Sequence, residues 1–191
     1  MRILIAGALG ALAMFLWTSI AHVATPLATA GFSKMQNEAV VLNAMKQGVG
    51  AAQGLYFFPW VDPDDPKMME KSAALMKTNP AGLLIYTPPG TRVSMTPMLI
   101  EEFVKELAQS LIAAFLLSMV AIAGYFRRVL FVTLIGAFAV LGTDVSYWIW
   151  YGFPLSYTLA AMTIELVGAF AAGLVIAWWM GRRRSFIRAA V

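Results

Sequence analysis

The chain has 191 residues, 60% of them hydrophobic and 13% charged, and its mean hydropathy of +0.74 exceeds that of a water-soluble domain, so lipid is part of its solvent. It has no cysteine and a single histidine, His22, which excludes disulfides, thiolate chemistry and a multi-histidine metal site within one chain. The net charge of +4 does not mark a nucleic-acid binder: Arg2, Arg127, Arg128, Arg182, Arg183, Arg184 and Arg188 stand at the ends of apolar stretches, the pattern that holds the basic ends of membrane helices in the cytoplasm.

Residues 3–23 are apolar apart from Thr18, Ser19 and His22 and are long enough to cross about 30 Å of hydrocarbon. A cleaved signal peptide competes with this reading, since Arg2 supplies a basic start and Ala28-Thr29-Ala30 a small-x-small site. The apolar run is longer than a signal core, which favours an anchor.

Residues 24–105 are expected to form a separate extracytoplasmic α/β domain, inserted between the first and second membrane helices. Ser33 with Gln36 reads as a capping box for a helix over 34–47 that Gly48 ends. Leu55-Tyr56-Phe57-Phe58 reads as a strand between Gly54 and Pro59. Asp65 followed by Pro66 starts a helix that runs to Lys77, and a second strand over 82–87 closes at Pro88-Pro89-Gly90. Strand, helix and strand in that order allow a right-handed crossover between parallel strands.

Thr96-Pro97 starts a further helix, with Glu101 and Glu102 in the turns where the macrodipole favours acids. With no breaker before Gly124, it is expected to run unbroken over 97–126 as the second membrane helix. A third is expected over 129–150 and a fourth over 157–180, followed by a basic tail over 181–191. Tyr147, Trp148, Trp150, Tyr151, Phe153 and Tyr157 at one end, and Trp178 and Trp179 at the other, form aromatic belts at two interfaces. The expected fold is therefore a membrane α-helical protein with four transmembrane helices over 1–23 and 106–180, both termini cytoplasmic. Small residues four apart, Gly7 with Ala11 and Ala169 with Gly173, permit close helix approach.

The intramembrane acids Asp144 and Glu165 carry the most information. Counted from the aromatic turn, Asp144 lies roughly 9 Å below Trp150 and Glu165 roughly 12 Å below Tyr157. Thr143 and Thr163 share that level, and Ser19 and His22 approach it from the first helix. A charge near mid-bilayer costs on the order of 3 kcal/mol, so these acids should face protein or a wet cavity. The cluster reads as a hydrogen-bonded pair joining helices, as a proton or cation site, or as metal or haem ligation by His22 or acid–base chemistry by Asp144 and Glu165. Asp62, Asp64 and Asp65, interrupted by Pro63 and Pro66, read as a solvated turn rather than a calcium loop. No phosphate loop or nucleophile elbow is present.

Trp17 and His22 followed by Pro26-Leu27, Asn37-Glu38, the segment from Gly54 to Pro59, and Gly82 with Tyr86 and Pro88-Pro89-Gly90 resemble a group of small bacterial inner-membrane proteins with no assigned function. The resemblance implies a bacterial inner-membrane location and adds no catalytic residue. The leading expectation is a non-enzymatic accessory or scaffold subunit that docks through its extracytoplasmic domain. Proton or cation handling is the alternative and a membrane-embedded enzyme the third. The expected partners are the lipid bilayer and other membrane-protein subunits, with no nucleic acid and no cofactor.

Overall fold

A computed structural model of the chain describes residues 1–182; Arg183, Arg184 and Arg188 of the expected basic tail lie outside the described residues. The chain divides into two units, one formed by Met1–Phe32 with the segment from Met95 onward, the other by Ser33–Ser94.

The first unit is a bundle of four helices. Helix α1, Arg2–Ala24, stops where it must: Thr25 precedes Pro26, whose ring excludes the helical conformation from the residue before it, and Thr25 is extended at φ −129° and ψ 159°. A short 3-10 turn, Pro26–Thr29, follows. Helix α4 is Thr96–Met119, α5 is Tyr125–Tyr151 and α6 is Leu155–Gly181. At the tight α5–α6 turn Gly152 takes the left-handed conformation (φ 70°) and closes α5, a position that glycine occupies without strain.

Small residues bring these helices together. A Cβ on Gly7 would stand 2.5 Å from Leu111 Cδ2, and one on Gly173 3.2 Å from the Val129 carbonyl oxygen. Gly136 lies against the Ala169 methyl group. The core contains Ala6, Met14, Ala114, Leu117, Val132, Ala172 and Ile176. Cross-helix hydrogen bonds add direction: Trp17 Nε1 donates to the Ile164 carbonyl at 2.9 Å, and Arg2 donates to the Met180 carbonyl at 2.5 Å. Arg2 thereby satisfies a terminal carbonyl of α6 and places its charge at the negative end of that helix dipole. Arg128 reaches the same end, beside Gly181.

Two expectations for the bundle are corrected. Among the described residues three helices, not four, are long and apolar enough to cross a membrane: α1, α5 and α6. Glu102, Lys105 and Glu106 interrupt the apolar stretch of α4. The single helix expected over 97–126 also breaks, since Val120 is extended and Gly124 has φ +89°. Arg127 and Arg128 consequently lie in the first turn of α5 rather than at the end of the helix before it.

The second unit contains helix α2 (Glu38–Gly48), strand β1 (Gly54–Phe58), helix α3 (Met68–Met76) and strand β2 (Gly82–Tyr86). The strands are antiparallel, with Leu55 opposite Ile85, Phe57 opposite Leu83 and Phe58 opposite Gly82, so the expected parallel crossover is not formed. The segment between Phe58 and α3, with Pro59, Pro63 and Pro66, contains no helix or strand. After the nine residues of α3 the chain enters β2 opposite the residue where β1 ended, Gly82 facing Phe58. Helix α2 starts at Glu38 after Asn37 with no side-chain cap, so the Ser33–Gln36 box is not made. Asp65 does bond the chain ahead of α3, its Oδ1 accepting the Lys67 N–H at 2.9 Å.

Cross-strand partners share a sheet face. One face carries Tyr56, Leu84 and Tyr86, the last buried with its hydroxyl donating to the Gly50 carbonyl at 3.0 Å. The other carries Leu55, Phe57, Leu83 and Ile85, with Leu55 63% and Ile85 68% exposed. Among the described residues of this unit Tyr86 is the sole buried apolar side chain.

Candidate functional site

The polar groups of the bundle gather at one level, and the helix registers explain why. Trp17 on α1 meets Ile164 on α6, and Thr18 on α1 meets Glu106 on α4. Gly136 lies beside Ala169 and Gly173 beside Val132, a register that continues to Val140 opposite Glu165. Thr18, Lys105, Glu106 and Glu165 therefore form a polar band across the bundle.

Glu106 is fully buried. Its Oε1 accepts a hydrogen bond from Thr18 Oγ1 at 2.8 Å, while its Oε2 has no hydrogen-bond partner among the described residues. One turn along the same face, Ser110 is 2% exposed and its Oγ is likewise unpartnered. Lys105 is committed elsewhere: Nζ donates to Glu102 Oε1 at 2.8 Å and to Glu165 Oε1 at 3.1 Å. One ammonium is thus shared by two carboxylates, with a third carboxyl buried next to it on α4.

Beside this band lies a cavity of 210 Å³ between the helices. Its polar lining is Gln109, Ser110 and Glu165, and the remainder, including Met14, Ile135, Ala139 and Ala172, is apolar.

The expected site residues take different places. Glu165 is in the band, paired with Lys105. Asp144 is half-buried and within electrostatic range of Glu165, but the α5–α6 register sets it opposite Ala161, one turn or about 6 Å nearer the aromatic end, and no hydrogen bond joins the two carboxyls. His22 is one turn beyond Thr18, and its Nδ1–H donates to the Thr18 carbonyl at 2.8 Å. Thr163 is exposed and bonds the Leu159 carbonyl of its own helix at 2.7 Å. Thr143 is exposed and Ser19 half-buried. Lys105 and Glu106 are absent from the expected set. The signal for Glu106 is the spacing of Glu102, Glu106 and Ser110, four residues apart, which puts all three on one face of α4.

Comparison with protein-family models, with curated proteins and with solved structures finds no match to this chain.

Proposed function

We propose that the protein is a non-enzymatic accessory subunit of a bacterial inner-membrane assembly and docks through its Ser33–Ser94 unit. The observation that carries the reading is the open sheet face of Leu55, Phe57, Leu83 and Ile85 in a unit with one buried apolar side chain. An isolated two-stranded sheet is marginal in water, and a contiguous exposed apolar face marks an interface. The occupant is a protein rather than lipid. Each strand has an outer edge without a strand neighbour, and unpaired backbone N–H and C=O groups are costly in hydrocarbon but are satisfied by an added strand. The orientation in this reading is supported by the collection of Arg2, Arg128 and Arg182 at one end of the bundle: Arg2 and Arg128 touch the end of α6, and Arg182 stacks 4.0 Å from the Trp178 ring. That end is cytoplasmic by the positive-inside rule, and the Ser33–Ser94 unit is extracytoplasmic.

The test is native electrophoresis of membranes solubilised in mild detergent, with Ile85→Lys and Phe57→Ser beside the wild type. Wild type should migrate as a complex with a stoichiometric second protein, and both variants should release it while remaining in the membrane. Deuterium exchange should show β-strand amides protected only in the complex. Wild type migrating as a single chain sinks the reading, and a complex of this chain alone replaces it with self-association. Because the chain has no cysteine, Asp64→Cys labelled by an impermeant maleimide from outside the cell reports the side; labelling only after lysis would reverse the orientation.

A second reading, ion handling by intramembrane carboxyls, is favoured by the unpartnered Oε2 of the fully buried Glu106. Its test is proton flux into vesicles with wild type and Glu106→Gln: flux in the first and none in the second supports it, and equal traces from both exclude it.

A further inference from the structure

We propose that the cavity between α1, α4, α5 and α6 binds a small amphiphilic amine, its protonated nitrogen at Ser110, Gln109 and Glu165 and its aliphatic body along Met14, Ile135, Ala139 and Ala172. Three observations carry this. The lining divides by chemistry, with the oxygen-bearing side chains Gln109, Ser110 and Glu165 against otherwise apolar walls, the division that positions a ligand with one polar end. Ser110 lines the cavity, is 2% exposed and has an unpartnered Oγ, and a buried hydroxyl without a partner is costly unless a ligand group bonds it.

The third observation is charge. Around the polar end stand Glu102, Glu106 and Lys105 on α4 and Glu165 on α6, with Asp144 on α5 in electrostatic range and the neutral Thr18 on α1. Carboxyls outnumber the single ammonium, so an anionic head is repelled and a cationic one attracted. A neutral alcohol would bond Ser110 but gain nothing from the acids. The inference extends the ion-handling reading from a bare ion to an organic cation, and its test measures binding without flux, so the two fail separately.

The experiment is equilibrium binding of radiolabelled n-octylamine to the full chain in detergent, competed by unlabelled octylamine, octanol or octanoate of the same chain length. Wild type should bind one equivalent saturably, displaced by octylamine and not by the other two. Glu165→Gln should weaken binding about tenfold, the scale of a hydrogen bond to a charged group. Ala139→Leu fills the apolar end without altering charge and should abolish binding while the helical circular dichroism is unchanged. Displacement by octanol as effective as by octylamine overturns the assignment of a cation site. Wild-type affinity in Ala139→Leu overturns the assignment of this cavity.

Discussion

Replacing Thr18 by Val keeps the shape of the side chain and removes the one hydrogen-bond donor, among the described residues, to Glu106, whose side chain is fully buried. Oε2 is already unpartnered, so in Thr18→Val neither oxygen of the buried carboxyl has a partner. Leaving a buried acceptor unsatisfied costs about 1–3 kcal/mol, whereas hydrogen bonds within membrane bundles average about 0.6 kcal/mol and reach about 1.7 kcal/mol. The expected loss is therefore about 1–2 kcal/mol, a factor of roughly 5–30 in the folded ratio. Removing both polar groups together should cost less than their sum, because apolar groups of similar volume at a buried polar pair are often neutral or stabilising. Thr18→Val with Glu106→Leu should thus show coupling of about 1 kcal/mol in a double-mutant cycle. Unfolding in mixed micelles by titration with sodium dodecyl sulfate, followed by circular dichroism, measures all four corners. Strict additivity would refute the claim that this pair holds α1 to α4.

Gly136 lies against the Ala169 methyl group with no space for a side chain, so Gly136→Leu should force α5 from α6 and destabilise the bundle by about 1–3 kcal/mol, whereas Gly142→Leu, where an added Cβ meets nothing within 4 Å, should be neutral in the same titration. In the Ser33–Ser94 unit the hydrogen bond from Lys71, with the Lys67 N–H behind it, holds the Asp65 carboxyl below the ordinary 3.8. A depressed acid contributes stability that is fully present above its unfolded pKa and is lost as pH falls through the folded value. Carbon-detected NMR of Asp65 should therefore show a midpoint below 3.8 that Lys71→Met raises, and an unchanged midpoint would remove the pair from the account of this turn.

The apolar helices α1, α5 and α6 were legible because a run of about 20 apolar residues has few alternatives, but the start of α5 was not, since Arg127 and Arg128 read as the end of the helix before it and lie in the first turn of α5. Helix α4 misled for a physical reason. Its apolar C-terminal half, from Leu111 to Met119, resembles a membrane span, while Glu106 is tolerated because neighbouring helices bury it and Thr18 bonds it, and Lys105 because it pairs with Glu102 and Glu165. Periodicity marked strands over 55–58 and 82–87 but is silent on their direction, which the pairing shows to be antiparallel. At the site, Glu165 stood out as a lone acid in an apolar helix. Glu106 did not, because Glu101, Glu102 and Lys105 beside it gave α4 the composition of an ordinary solvated helix start. Burial of Glu106 depends on Thr18, 88 residues away, and no local pattern encodes that pairing.

The bonds from α1 to α6 also bear on how the protein is made. Trp17 and Ile164 are 147 residues apart, and Arg2 and Met180 are 178 apart. At synthesis rates of about 5–20 residues per second, α1 leaves the ribosome roughly 7 to 36 seconds before the helix that completes its surroundings. During that interval its face of Ala6, Gly10, Met14, Thr18 and Ala21, closed in the finished bundle, has α4 at most to cover it. A nascent chain arrested after α5 would hold the Trp17 indole and the Arg2 guanidinium without their acceptors on α6.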